Sequence, residues 1–329
     1  MPTPLKAKEV LRSRYKIRRV IGQGGMGSIY LADDLRLDGR LCALKEVEHD
    51  RTLPKEMLKQ AREQFQREAT VLARLDQPNL PKVSDFFSIG DRDYLVMDFI
   101  PGKDLRELMI DARHRGTFLS ERDVLGWAGQ LANALEYLHF QEPTILHRDI
   151  KPSNLKLTPT GLLKLVDFGL VKLLVSEEMT ITILQGRGTV LYTPLEQYGG
   201  DTGHTDARSD IYAFGATLYH LLTNHRPVEA RELFLYPDSL TPPRQFNPDI
   251  SLRTERAIIW AMSLHPEDRP QDVATFQQAL LGDWNPITQP RAPLPGPSLA
   301  DLVSSPTELA LILISAGLVI ASLILTFIK

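Results

Sequence analysis

Two aspartates and an asparagine stand in polar turns beside apolar strands. Asp149 and Asn154 lie in His147-Arg148-Asp149-Ile150-Lys151-Pro152-Ser153-Asn154, and Asp167 opens Asp167-Phe168-Gly169 after the apolar run Leu162–Val166. Oxygen donors of this kind suit a hard divalent cation, and a carboxylate among them suits the proton of a substrate hydroxyl. Magnesium-assisted phosphoryl transfer requires both. Far upstream, Ile21-Gly22-Gln23-Gly24-Gly25-Met26-Gly27-Ser28-Ile29 spaces its glycines so that backbone N–H groups can approach phosphate oxygens. Dinucleotide-binding turns share this spacing, and an ordinary glycine hairpin also satisfies it. Here the loop runs into Ser28–Ala32, a turn at Asp38-Gly39, then Leu41–Lys45. That is strand, turn, strand, where a dinucleotide site must open a helix.

Lys45 closes the second of these strands. In the helix that follows, Leu58, Ala61, Phe65, Leu72 and Leu75 mark an inward stripe, and Glu68 falls on it. A carboxylate on a packed face is costly unless a cation meets it, so a Lys45–Glu68 pair is expected, with the ammonium aimed at phosphate. A Glu68 tilted to the edge of the stripe fits the same pattern.

The elements that must position these groups change character near residue 100. Strand patterns dominate before it (Tyr15–Ile21, Ser28–Leu35, Leu41–Val47, Val83–Ser88, Tyr94–Phe99), with one helix over about Pro54–Leu75. Helical patterns dominate afterwards, as in Glu121–Leu138 and Asp210–Leu222. The expectation is an α+β, bilobal molecule, with a small antiparallel-sheet lobe (15–100) and a larger, mainly helical lobe (101–283). A basic segment, 1–14, precedes it; with Lys16, Arg18 and Arg19 its cations read as a solvated strand edge. A Pro-rich spacer, 284–308, follows. Leu309–Ile328 is twenty residues without a charge, about 30 Å as a helix, and predicts a membrane span. A net charge of −3 gives no argument for nucleic-acid binding. Cys42, the lone cysteine, sits beside Ala43 and Leu44 and reads as a small buried hydrophobe. No N-terminal signal peptide is expected, because 1–19 lacks an apolar segment.

The ordered set of glycine loop, Lys45, Glu68, H-R-D-x-K-x-x-N and D-F-G resembles the Hanks-type (eukaryotic-like) serine/threonine protein kinase family in its bacterial form, over about residues 15–280. The resemblance implies a bilobal kinase fold and transfer of the γ-phosphoryl of ATP to protein Ser/Thr hydroxyls. Asp149 would orient and deprotonate the acceptor hydroxyl, and Asn154 and Asp167 would hold Mg²⁺ or Mn²⁺. Lys45 would contact the α- and β-phosphates and pair with Glu68, and Lys151 would stand near the γ-phosphate. The ATP site would take in Ile21 to Gly27, Ile29 and Ala43, with Met97 as gatekeeper and the backbone of Asp98 to Ile100 meeting adenine. Gly188-Thr189 to Glu196-Gln197 matches the end of an activation segment; Glu196 would pair with Arg269, and Asp210 would brace the catalytic loop. Arg148, beside Asp149, calls for an anion. Thr180 and Thr182, thirteen and fifteen residues after Asp167, are the expected autophosphorylation sites. A homodimer through the small lobe follows by analogy alone.

The pattern departs at Lys156, where the family has an apolar residue under adenine. Its methylenes would lie under the base with the ammonium outward, or it would weaken nucleotide binding. Two other classes stand beside the kinase reading. A nucleotide-binding scaffold would be expected to lose Lys45, Asp149, Asn154 or Asp167, all of which are present. A small-molecule phosphotransferase is disfavoured by Thr189, Glu196 and Arg269. ATP and Mg²⁺ being cytoplasmic, the resemblance places the catalytic part on the inner side of the cell membrane, held by a single C-terminal span.

Overall fold

In a computed structural model the described residues are 4–24, 27–48, 54–167, 190–198 and 205–282. The expected Leu309–Ile328 span and the Pro-rich spacer lie outside them, as do Gly25, Met26, Thr180, Thr182 and Thr189. Among the described residues no helix is long and apolar enough to cross a membrane.

The small lobe is built on strands β1 (Val10–Leu11), β2 (Tyr15–Gly24), β3 (Gly27–Asp34), β4 (Leu41–Glu48), β5 (Val83–Ile89) and β6 (Arg92–Asp98). They form one antiparallel sheet in the order β1-β2-β3-β4-β6-β5. Period-2 alternation divides its faces. Ala43, Val47, Leu95 and Met97 pack with Phe65, Ala69 and Leu72 of helix α1 (Lys55–Arg74). Cys42, Leu44, Tyr94 and Val96 face the other way, with Tyr15, Ile17, Tyr30 and Phe87. Cys42 is buried there, and burial pushes its thiol up to about 11, as expected of a small hydrophobe. The basic N-terminal stretch is a sheet edge, and two of its cations are met locally. Arg14 binds Asp34 at 2.8 Å and Arg18 binds Asp33 at 2.7 Å.

The large lobe opens with α2 (Leu105–His114) and α3 (Glu121–His139). Asp104 starts α2 in a capping box, accepting from Glu107 N at 2.8 Å while Glu107 accepts from Asp104 N at 2.9 Å. A two-stranded ribbon, β7 (Leu155–Leu157) with β8 (Leu163–Leu165), carries the candidate catalytic residues at its ends. Helix α4 (Ala207–Thr223) is buried along nearly its whole length and forms the hub of this lobe. Around it stand α5 (Ala230–Leu235), α6 (Pro243–Phe246), α7 (Leu252–Ala261) and α8 (Val273–Leu281). Gly215 permits the close α4–α7 approach, since a Cβ there would stand 2.8 Å from Ala261 Cβ. The architecture agrees with the bilobal expectation. It adds β1, whose two residues are too few to show a period.

Candidate active site

Lys45 lies on the α1 face of β4, opposite Leu95, by the same alternation that buries Ala43 and Val47. Its ammonium pairs with the Asp167 carboxylate. The expected Lys45–Glu68 pair is not formed, which corrects the reading from sequence. Glu68 does lie inward on α1, buried, yet one oxygen accepts from Gln64 Nε2 at 2.7 Å and Oε2 has no hydrogen-bond partner. The Asp167 carboxylate competes for the same cation and wins in this conformation. Burial pushes the Glu68 carboxyl up to about 7, opposed by the Gln64 bond and by the charges of Arg148 and Arg67.

A raised folded-state pKa means that the folded protein holds this proton longer than the unfolded chain does. The burden on stability is therefore absent below the ordinary pKa of 4.5, grows as pH rises towards about 7, and is complete above it. Glu68→Gln is expected to raise the thermal midpoint at pH 8 by several degrees and to leave it unchanged at pH 4.5, corresponding to roughly 1–3 kcal/mol. Differential scanning fluorimetry of both proteins across that range checks this, and an equal shift at both pH values would contradict it.

The turn from His147 to Asn154 is held from below. Asp210, wholly buried at the start of α4, accepts from His147 N at 2.9 Å and Arg148 N at 2.8 Å, and lies 2.9 Å from His139 Nε2. Burial alone would raise this carboxyl. The His139 bond, the two histidines and the His147 N–H hold it below the usual carboxylate range. Burial pushes the His147 imidazole down, against the charges of Asp210, Asp149 and Asp167. Arg148 has φ of +61° and Asp167 +65°, a left-handed backbone uncommon for residues with a side chain. Asp210 anchors the first of these two strained turns directly.

Above that brace, Lys151 Nζ binds both Asp149 oxygens, at 3.0 and 2.8 Å. Asn154 Nδ2 donates to Asp149 O at 2.8 Å and to Asp149 Oδ2 at 3.0 Å. Val166 N donates to Asn154 O at 2.8 Å, which sets the next residue, Asp167, beside Asn154. With its amide nitrogen committed to Asp149, Asn154 keeps a carbonyl oxygen for a cation. Carboxylate and carbonyl oxygens fit Mg²⁺.

The glycine segment is the β2–β3 hairpin, with Gly22 opposite Ile29, Gln23 opposite Ser28 and Gly24 opposite Gly27. At Gly27 φ is +146°, and a Cβ would stand 2.1 Å from Glu46 O, so no other residue fits there. Met97 lies opposite Ala43 at the end of the sheet, with Ile100 buried just beyond. Asp98 N already donates to Lys82 O at 3.0 Å, so of the Asp98–Ile100 backbone that N–H is not available to adenine. Lys156 is half-buried in β7, bridged to Asp104, and its charge acts on the Asp104 carboxyl. The ammonium thus has an acidic neighbour in Asp104.

Arg269 is buried against Glu196, at 2.6 and 3.0 Å, and also donates to Ser263 O and Leu264 O. Ser209 Oγ adds a third contact to Glu196 at 2.7 Å. Reading the sequence missed Gln64, His139, Ser209 and Asp104. Only Asp104 left a signal, the D-x-x-E box before an apolar run.

The protein kinase domain model matches residues 15–280. A probable serine/threonine-protein kinase of Clostridium acetobutylicum is 34% identical over 269 residues, covering 80% of this chain and 39% of that protein. Serine/threonine-protein kinase PrkC of Bacillus subtilis is 32% identical over 279 residues, covering 80% and 41%. The chain thus spans about two fifths of the length of these curated relatives. The crystal structure of the Mycobacterium tuberculosis PknI kinase domain superposes with a TM-score of 0.61 at 28% identity, covering 84% of this chain and 98% of that one.

Proposed function

The chain belongs to the protein kinase family, and from that premise we propose that it transfers the γ-phosphoryl of ATP to serine and threonine hydroxyls of proteins. The observation that carries the reading is the joint position of Asp149, Lys151 and Asn154 on one braced turn, with Lys45 and Asp167 paired beside it. Asp149 would accept the proton of the acceptor hydroxyl as it attacks phosphorus, and Lys151 would neutralise charge on the transferred group. Asn154 and Asp167 would hold Mg²⁺, which shields charge between the phosphates when bound. Lys45 would meet the α- and β-phosphates. In the conformation described here it answers Asp167 alone of the two expected carboxylates, so the pairing with Glu68 would require α1 to approach β4. The glycine hairpin would cover the phosphates, and Met97 to Ile100 would edge the adenine pocket.

The finer proposals concern regulation and place. Arg148 lies close enough to Glu68 for its charge to act on that carboxyl, and a phosphothreonine at Thr180 or Thr182 would offer the guanidinium a stronger anion. The apolar run Leu309–Ile328 would tether the enzyme to the cell membrane, with the catalytic part on the cytoplasmic side. One experiment addresses these together. The full chain, expressed and fractionated, should sediment with membranes and, after Mg·ATP, yield tryptic peptides phosphorylated at Thr180, Thr182 or both. Recovery in the soluble fraction would remove the tether. Phosphate on Ser or Thr elsewhere, with both threonines unmodified, would remove the regulatory proposal and leave the kinase reading standing.

A further inference from the structure

Three exposed arginines lie on or just after helices that pack on the catalytic turn. Arg106 and Arg113 lie on α2 seven residues apart, two helical turns, and so share one face. Helix α2 packs on the Pro152–Asn154 turn, directly after Asp149 and Lys151, and on α4. Arg226 follows α4, in a loop tied to the end of α2 by Asn224 Nδ2, which donates to Thr117 O at 3.1 Å. The Val190–Tyr192 turn also packs on α4. Tyr192 OH lies 2.6 Å from His220 Nδ1 on α4, and the two rings stack at 6.0 Å.

None of the three guanidiniums forms an ion pair among the described residues. The nearby acids on α2 are otherwise engaged, Asp111 with Lys103 at 2.6 Å and Glu107 in the capping box of Asp104. The combined field reaches inward. Burial first, then the charges of Arg226, Arg106, Arg113 and His225, push the His220 imidazole down to about 4, so His220 stays neutral and adds no cation of its own. Like charges gathered where the neighbouring acids are engaged elsewhere repel one another, and an incoming carboxylate relieves that repulsion. Arginine is suited to it because its planar fork can grip a carboxylate with two hydrogen bonds.

We propose that the strip formed by Arg106, Arg113 and Arg226 receives acidic side chains of the protein substrate, so that the enzyme selects serines or threonines flanked by Asp or Glu. The proposal rests on the kinase reading above. It assigns these arginines a role in choosing the substrate rather than in the chemistry of transfer.

The test uses the full chain with Mg·ATP and a peptide library in which each position around a Thr or Ser acceptor is varied. At one or more flanking positions, Asp and Glu should exceed Lys and Arg by about tenfold, the scale of a few exposed ion pairs acting together. Arg106→Glu combined with Arg226→Glu should abolish or invert that ratio, through KM rather than kcat. Arg36→Glu, exposed on the small lobe, should leave it unchanged. Fluorescence anisotropy of labelled acidic and basic peptides at low and high salt reads the strip without catalysis. Acidic peptides should bind more tightly, with the difference shrinking in salt. Transfer that is indifferent to flanking charge, or that favours basic peptides, overturns the proposal and leaves the kinase reading intact. Equal loss on acidic and basic peptides in the double variant also overturns it. Binding selective for acidic peptides, with no transfer to any peptide, overturns the kinase reading instead.

Discussion

Asp149→Asn is expected to lower phosphoryl transfer by about a hundred- to ten-thousandfold, the range associated with losing a positioned general base. Affinity for Mg·ATP should stay within a few-fold, because Asp149 is not among the residues expected to hold the nucleotide or the metal. The amide matches the carboxylate in size, so the fold should persist. It loses the negative charge that Lys151 contacts through both oxygens and that Asn154 meets with its amide. The lysine is then less well held near the transferred group, which adds to the loss. Steady-state kinetics with calorimetric ATP titration separates the two effects. A variant with normal kcat would mean that Asp149 does not accept the proton.

Asp210→Ala should have the largest effect on stability. The carboxylate satisfies the N–H groups of His147 and Arg148 and lies against His139, all in a part of the large lobe without water access to Asp210 itself. Removing it strands those donors, and the cost should be roughly 3–5 kcal/mol, about 10 °C in the thermal midpoint. Activity should fall further than the unfolded fraction explains. Arg148 sits at φ +61°, and the Asp210 bond to its N–H supports that unfavourable turn, which sets the direction of Asp149. Thermal denaturation monitored by circular dichroism, beside kinetics measured well below the midpoint, checks both parts. A midpoint within a degree or two of the parent would show that the brace is dispensable.

Much of this site could be read from the sequence because its parts are local or strongly patterned. The apolar stripe of the following helix placed Glu68 inward, as found, and the apolar run before Asp167 placed that residue at a strand end. Asp210 and the Glu196–Arg269 pair came from resemblance rather than pattern, since partners 63 and 73 residues apart leave no periodic signal. The pairing of Lys45 could not be read at all. Sequence shows that one lysine and two carboxylates are available, while the choice between Glu68 and Asp167 depends on how close α1 stands to β4. That distance is set by packing of the whole lobe. Glu46 was hidden for another reason. Tyr30, Tyr94 and Arg92 close over it and each donates to Oε2 at 3.2 Å. Aromatic residues of the two neighbouring strands, β3 and β6, bury this acid, and only the sheet pairing brings them onto it.

The central claim is that this turn moves a phosphoryl group from ATP to a protein hydroxyl. Its most direct test is phosphoamino-acid analysis of the full chain and a mixture of acceptor proteins after incubation with Mg²⁺ and γ-labelled ATP, beside the Asp149→Asn variant. Label recovered as phosphothreonine and phosphoserine, and lost in the variant, is the predicted result. Mg·ATP bound by the protein with no label on any hydroxyl amino acid, or the same label in both proteins, would contradict it.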